Sequence, residues 1–169
     1  MLRVRMDQAH LKRTIRPLYG WTQTTPKSAY LFLNPDGSRT FNTAVYPGMV
    51  LMHVGGEEYD LADSDTSTAE LGLSGLYMGG DGIDEVLEQG VNAIAVWVLG
   101  PDAEFEILAP AFDPDVLDAP EGALLGFCTS GTHVGKLTHD NNASTKKVAR
   151  LLKIVSDSKI IVGGLQGTA

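Results

Sequence analysis

Several residue groups in this chain are of types that do chemistry, but their spacing withholds it. Gly131-Thr132-His133-Val134-Gly135-Lys136 has the glycines and lysine of a phosphate-cradling loop. Such a loop needs four residues between its glycines, and a Ser or Thr after the lysine to hold magnesium. Here three residues intervene and Leu137 follows. Gly80-Asp81-Gly82 lacks the third glycine of a dinucleotide-binding turn. Gly72-Leu73-Ser74-Gly75 is no nucleophile elbow, which separates its serine from each glycine by one residue. A calcium loop starting at Asp63 would need glycine where Thr68 stands and glutamate where Ser74 stands, so Asp60, Asp63 and Asp65 read as a solvated acidic loop. His133, His139 and Asp140 are zinc-ligand types at a spacing that fits no ligand pattern, and they read as surface groups. Cys128 lies in an apolar stretch without a basic neighbour in sequence, as a buried structural thiol does. Asn142-Ala143-Ser144 is a glycosylation acceptor only in a secreted chain. From these residues no catalytic site, cofactor or metal is expected, and the chain reads as a non-enzyme.

The elements that would hold such groups are mostly strands. The chain is organised around residues 82–108: a short helix over about 82–90, a strand apolar on both faces, a turn at Pro101-Asp102, and a returning strand. Asp81 is placed to cap the helix, Ile83, Val86 and Leu87 share one face, and Gly90 suits its end. In the strand, Ala93, Ala95, Trp97 and Leu99 point one way and Ile94, Val96 and Val98 the other. Phe105 and Ile107 then alternate with Glu104 and Glu106.

Upstream, residues 29–33 and 39–45 flank the turn signal Asn34-Pro35-Asp36-Gly37, and residues 49–54 form an apolar strand closed by Gly55-Gly56. Residues 57–70 read as an acidic surface loop, and residues 71–78 as a strand whose glycines let another backbone approach. Downstream come a proline-rich loop over 110–121, strands over 123–129 and 134–138, and a terminal hairpin of 147–155 with 159–162 about Ser156-Asp157-Ser158. The expected fold is mainly β (α+β): a compact β-barrel or sandwich with one short helix and an extended N-terminal arm.

Size and charge bound the function further. The 169 residues suffice for one domain with an appended arm. One cysteine, Cys128, allows no internal disulfide and no cysteine-rich zinc site. With neither a secretory-type leader nor an apolar run of spanning length, folding in the cytoplasm and no membrane partner are expected. The net charge of −8 is unevenly spread: residues 1–27 carry +5, residues 28–144 carry −17, and residues 145–169 carry +4. So acidic a body would repel phosphate, and no nucleic-acid partner is expected. The basic segment 1–27 reads as an arm that meets another surface, with Arg13, Arg16, Leu18, Tyr19 and Trp21 as its anchors. The remainder, 28–169, is the β-rich domain.

Four segments taken together carry a resemblance: Tyr46-Pro47-Gly48-Met49-Val50-Leu51, L-G-L-S-G-L-Y-M-G-G-D-G-I-D-E-V from Leu71, Q-G-V-N-A-I-A-V-W-V-L-G-P-D-A-E-F-E-I-L from Gln89, and V-A-R-L-L-K-I-V-S-D-S-K-I-I-V-G-G-L from Val148. They resemble the head decoration (capsid-stabilising) proteins of tailed bacteriophages. The resemblance implies a structural protein on the outer surface of the expanded capsid. It further implies the major capsid protein as partner, a homotrimer at three-fold positions, and residues 1–27 as a capsid-docking arm. Deleting 1–27 is then expected to leave a folded domain that no longer binds. A tail, neck or fibre-base component is the alternative virion role. A small metal-dependent β-barrel enzyme using His133, His139 and Asp140 is the alternative of a different class.

Overall fold

The computed structural model describes residues 14–19, 25–32, 34–36, 45–64, 70–77, 93–141 and 143–165. In chain order its first six strands are β1 (Ile15–Tyr19), β2 (Thr25–Leu31), β3 (Val50–Gly55), β4 (Glu58–Leu61), β5 (Leu71–Tyr77) and β6 (Ala93–Val98). The remaining five are β7 (Glu104–Leu108), β8 (Leu124–Phe127), β9 (Leu137–Thr138), β10 (Ala149–Ser156) and β11 (Lys159–Gly163). Two sheets result. One is a closed barrel in the order β2-β4-β3-β5-β6, and the other has six strands in the order β1-β7-β11-β10-β8-β9. The fold is mainly β, as expected.

The apolar character of β6 on both faces follows from its position between two packed layers. Residues paired across a ladder share a face, and Ala29 opposite Ile94 with Ser74 opposite Val96 form the barrel's inner side. Ile94 and Val96 are fully buried there. On the other side Trp97 sits opposite Leu73, and its ring packs on Phe105 of β7 with centroids 5.3 Å apart. One hydrophobic cluster therefore runs through both sheets, from Leu31, Leu51 and Leu61 in the barrel to Phe105, Ile107, Phe127, Leu151, Ile160 and Val162 in the six-stranded sheet. Closing the barrel also pairs strand edges that would otherwise stay open.

Two glycines are required by this packing. Gly72 of β5 lies against β6, where a Cβ would sit 2.6 Å from Val96 Cγ1, which is the close approach expected of this strand. Gly135 has a φ of +80° and its carbonyl accepts from the Val50 amide at 2.7 Å, tying the loop before β9 to the barrel.

Some elements differ from the sequence expectation. Residues 57–70 are not all surface loop: Glu58–Leu61 is barrel strand β4, with Tyr59 and Leu61 buried. Its four residues alternate with period two, but its two acids lie in an acidic run that hid the pattern. Residues 134–138 yield only the two-residue β9, because Gly131–His133 is a 3₁₀ turn and Gly135 adopts positive φ. Within the proline-rich loop, Pro114–Asp118 forms a 3₁₀ turn capped by Asp113, whose side chain accepts from the Asp115 amide. The terminal hairpin is β10 with β11, antiparallel, with register shifts at Leu152 and Val155. The helix over 82–90 and most of the returning strand 39–45 lie outside the described residues.

The segment 1–27 also divides. Ile15–Tyr19 is an edge strand on β7, and its first residue is buried at 2% exposure. Thr14 is buried too, its hydroxyl donating to the Pro47 carbonyl. Residues 25–27 belong to β2 and pair with β6 opposite Val98, Trp97 and Val96. The boundary at residue 27 thus falls inside a barrel strand.

Candidate functional site

Of the chemistry-bearing residues, the structure gathers one set into a loop-holding network. Asp113 and Asp115 bracket the start of the 3₁₀ turn after β7. The Asp115 carboxylate accepts from Thr138 Oγ1 at 2.7 Å and from the amides of His139, Asp140 and Asn141 at 3.2, 2.8 and 2.8 Å. Burial pushes its carboxyl up, but the Thr138 hydroxyl and the Asp140, Asn141 and His139 amides outweigh that and hold it below the ordinary carboxylate range. Asp113 accepts from Asn141 Nδ2 at 2.9 Å, and His133 Nδ1 lies 3.9 Å from its Oδ2. These carboxylates are saturated by the protein's own donors, so their work is to fold residues 138–141 onto the domain.

The imagined zinc set does not converge. His139 pairs with its neighbour Asp140 at 3.0 Å while His133 faces Asp113. Among the described residues no group of three or more His, Cys, Asp or Glu could hold a metal ion. Cys128 is buried at 1% exposure with its thiol toward the Ser130 carbonyl, 3.1 Å away. A basic neighbour exists that sequence spacing alone did not reveal: Lys136 lies close by, its amine pushed down by burial and partly restored by Asp113 and Cys128. Asp60 accepts from the Leu61 amide within β4, and Asp65 lies outside the described residues.

A second arrangement lies on the outer face of the six-stranded sheet. The core-facing residues of β7, Phe105 and Ile107, alternate with Glu104, Glu106 and Leu108, which face away. Glu106 is only 8% exposed because two cations cover it. Arg16 Nη2 of β1 binds its Oε2 at 3.0 Å and Lys159 Nζ of β11 approaches its Oε1 at 3.8 Å. Cross-strand register extends the row from Arg16 through Glu106 and Ile161 to Lys153 of β10. The next row runs Tyr19, Glu104, Gly163, Arg150 and Leu124. The basic segments from opposite ends of the chain thus share one face, clasped through a carboxylate between them. Both basic segments are plain in the sequence, but their pairing depends on strands far apart in the chain.

The five candidate anchors fall unevenly on this frame. Arg13 and Trp21 lie outside the described residues. Arg16, Leu18 and Tyr19 are in β1, where the Arg16 side chain is 60% exposed and Leu18 is 38% exposed. Leu18 is the extra residue of a bulge between Pro17 and Tyr19, and Tyr19 is placed opposite Glu104. Among the described strands β1 has β7 on one side and none on the other. A bulge and a proline are devices that keep such an edge from pairing at random.

The family described as phage cement protein matches residues 1–166. The chain belongs to that family. A phage cement protein is a capsid-associated structural protein of the virion. Neither the curated proteins nor the solved structures gave a match.

Proposed function

We propose that this phage cement protein binds the outer surface of the expanded capsid and stabilises it by bridging major capsid protein subunits, as a homotrimer at three-fold positions. The role is structural and non-catalytic; the protein folds in the host cytoplasm and acts without nucleic acid, membrane or cofactor. What supports this reading most is the family match across nearly the whole chain. Arg13, Arg16, Leu18, Tyr19 and Trp21 are the proposed capsid contacts. Arg16 and Leu18 present a charge and an exposed apolar group side by side at the sheet's edge, the side-chain types that anchor an interface.

Residues 1–13 are the part of the docking segment that can be removed without cutting into a strand. Deletion to residue 27 would strip β1 from β7 and three residues from β2, and so would test folding rather than docking. Deletion to residue 13 leaves both strands whole. Purified protein is expected to co-sediment with expanded capsids at a saturating stoichiometry, and the 1–13 deletion to bind much more weakly while melting normally. Undiminished binding by the deleted protein would sink the docking role. Absence of binding by the full chain would sink the function.

A further inference from the structure

We infer that the protein docks through the outer face of its six-stranded sheet, with the C-terminal hairpin β10–β11 as a second contact element, against an acidic, partly apolar face of the capsid shell. This rests on the capsid-binding reading and extends the contact set beyond the N-terminal segment. The strands of the two sheets differ in charge. In the strands of the six-stranded sheet Arg16, Arg150, Lys153 and Lys159 stand against Glu104 and Glu106. In the barrel strands Glu58 and Asp60 stand against Lys27, and the described barrel loops add the acids Asp36, Glu57, Asp63 and Glu70; the loops of the sheet's lobe are acidic too.

Several acids on the sheet's own lobe are already engaged, and Glu104 is the one left on its outer face. Asp113 and Asp115 are committed to the network around residues 138–141. Glu106 is covered by Arg16 and Lys159, Glu121 accepts from the Ile154 amide, and Asp157 sits at the hairpin's turn. Lys153 is exposed and makes no ion pair among the described residues. Beside it the face offers Val155 at 46% exposure, Leu124 at 41% and half-buried Ile161. Apolar groups ringed by cations are the composition of a protein-binding patch whose partner carries carboxylates. Docked this way, the acidic barrel points away from the shell and keeps neighbouring decorated particles apart.

The test compares three surface variants of the full chain for binding to expanded capsids. Arg150→Glu with Lys153→Glu is expected to weaken binding at least about tenfold and to flatten its dependence on salt. Lys153→Glu with Val155→Ser changes the same patch through exposed side chains and gives a second reading should the first variant misfold. Glu57→Lys with Glu58→Lys, on the barrel hairpin, is expected to bind as the parent does. Unchanged affinity and salt dependence in both sheet-face variants, with the parent binding normally, would overturn this docking face and leave the capsid reading standing. Loss of self-association with capsid binding retained would also overturn it, assigning the face to a second copy. A parent that does not bind capsids at all would overturn both.

Discussion

Removing both cations from Glu106 should cost far more than the sum of removing each. Arg16→Met deletes a 3.0 Å pair whose cation is 60% exposed, so screening limits the loss to about 0.5–1 kcal/mol. Lys159→Met deletes a longer contact of 3.8 Å and should cost no more than about 0.5 kcal/mol. Either change alone leaves the carboxylate one partner. The double variant keeps apolar stems over a carboxylate that is 8% exposed in the parent while leaving it no cation, and an unpaired buried charge costs about 3–5 kcal/mol. The coupling energy should therefore be about 2 kcal/mol or more. Adding Glu106→Gln should recover most of it, since the neutral amide keeps the shape without the charge. Urea denaturation followed by circular dichroism measures all of these. A double variant whose cost merely equals the sum, with no recovery from Glu106→Gln, would refute the view that two distant basic segments are joined through this carboxylate.

Other consequences are equally direct. Asp115→Ala removes the acceptor of four hydrogen bonds and should cost about 2–3 kcal/mol, with hydrogen exchange rising at residues 138–141. Because its carboxyl is held below the usual 3.8, Asp115 contributes stability that is complete above that value and is lost as pH falls through the lower folded one; Asp115→Asn should flatten that part of the acid limb. Tyr59 is pushed up to about 12 by burial and by its hydrogen bond to Glu70, so the folded state holds a proton that the unfolded state releases near 10. Stability should fall from about pH 10 upward, and Tyr59→Phe should reduce that fall in alkaline melts. Gly135→Ala combines a φ of +80° with a Cβ placed 2.7 Å from Leu61 Cδ2, and should lower stability by about 1–3 kcal/mol without changing the partner strands.

The parts of the fold legible in the sequence were those in which local pattern and burial agree. Phe105 and Ile107 alternating with Glu104 and Glu106 gave β7, and Ser156-Asp157-Ser158 between two apolar runs gave the β10–β11 hairpin. The doubly apolar β6 was legible as central, although nothing local distinguishes a barrel interior from a sheet-to-sheet contact. Strand β4 was missed because Glu58 and Asp60 continue an acidic run, and the two buried alternates between them, Tyr59 and Leu61, are too few to stand out. The parallel pairing of β2 with β4 that helps close the barrel is a long-range fact with no local trace. In the candidate site, the basic charge of both chain ends was legible. Their convergence was not, because it depends on β7 lying between β1 and β11. The burial of Ile15 and Thr14 likewise escaped notice: five residues that pair with a distant strand look like any short arm until that strand is in place.

The central claim is that this phage cement protein strengthens a capsid by binding its outside. Heating expanded capsids with and without saturating protein, while following shell disruption by light scattering and calorimetry, tests it most directly. Bound protein should raise the disruption temperature, the rise should saturate with occupancy, and the 1–13 deletion should need much more protein to produce it. Capsids that bind the protein fully yet disrupt at the same temperature would contradict it.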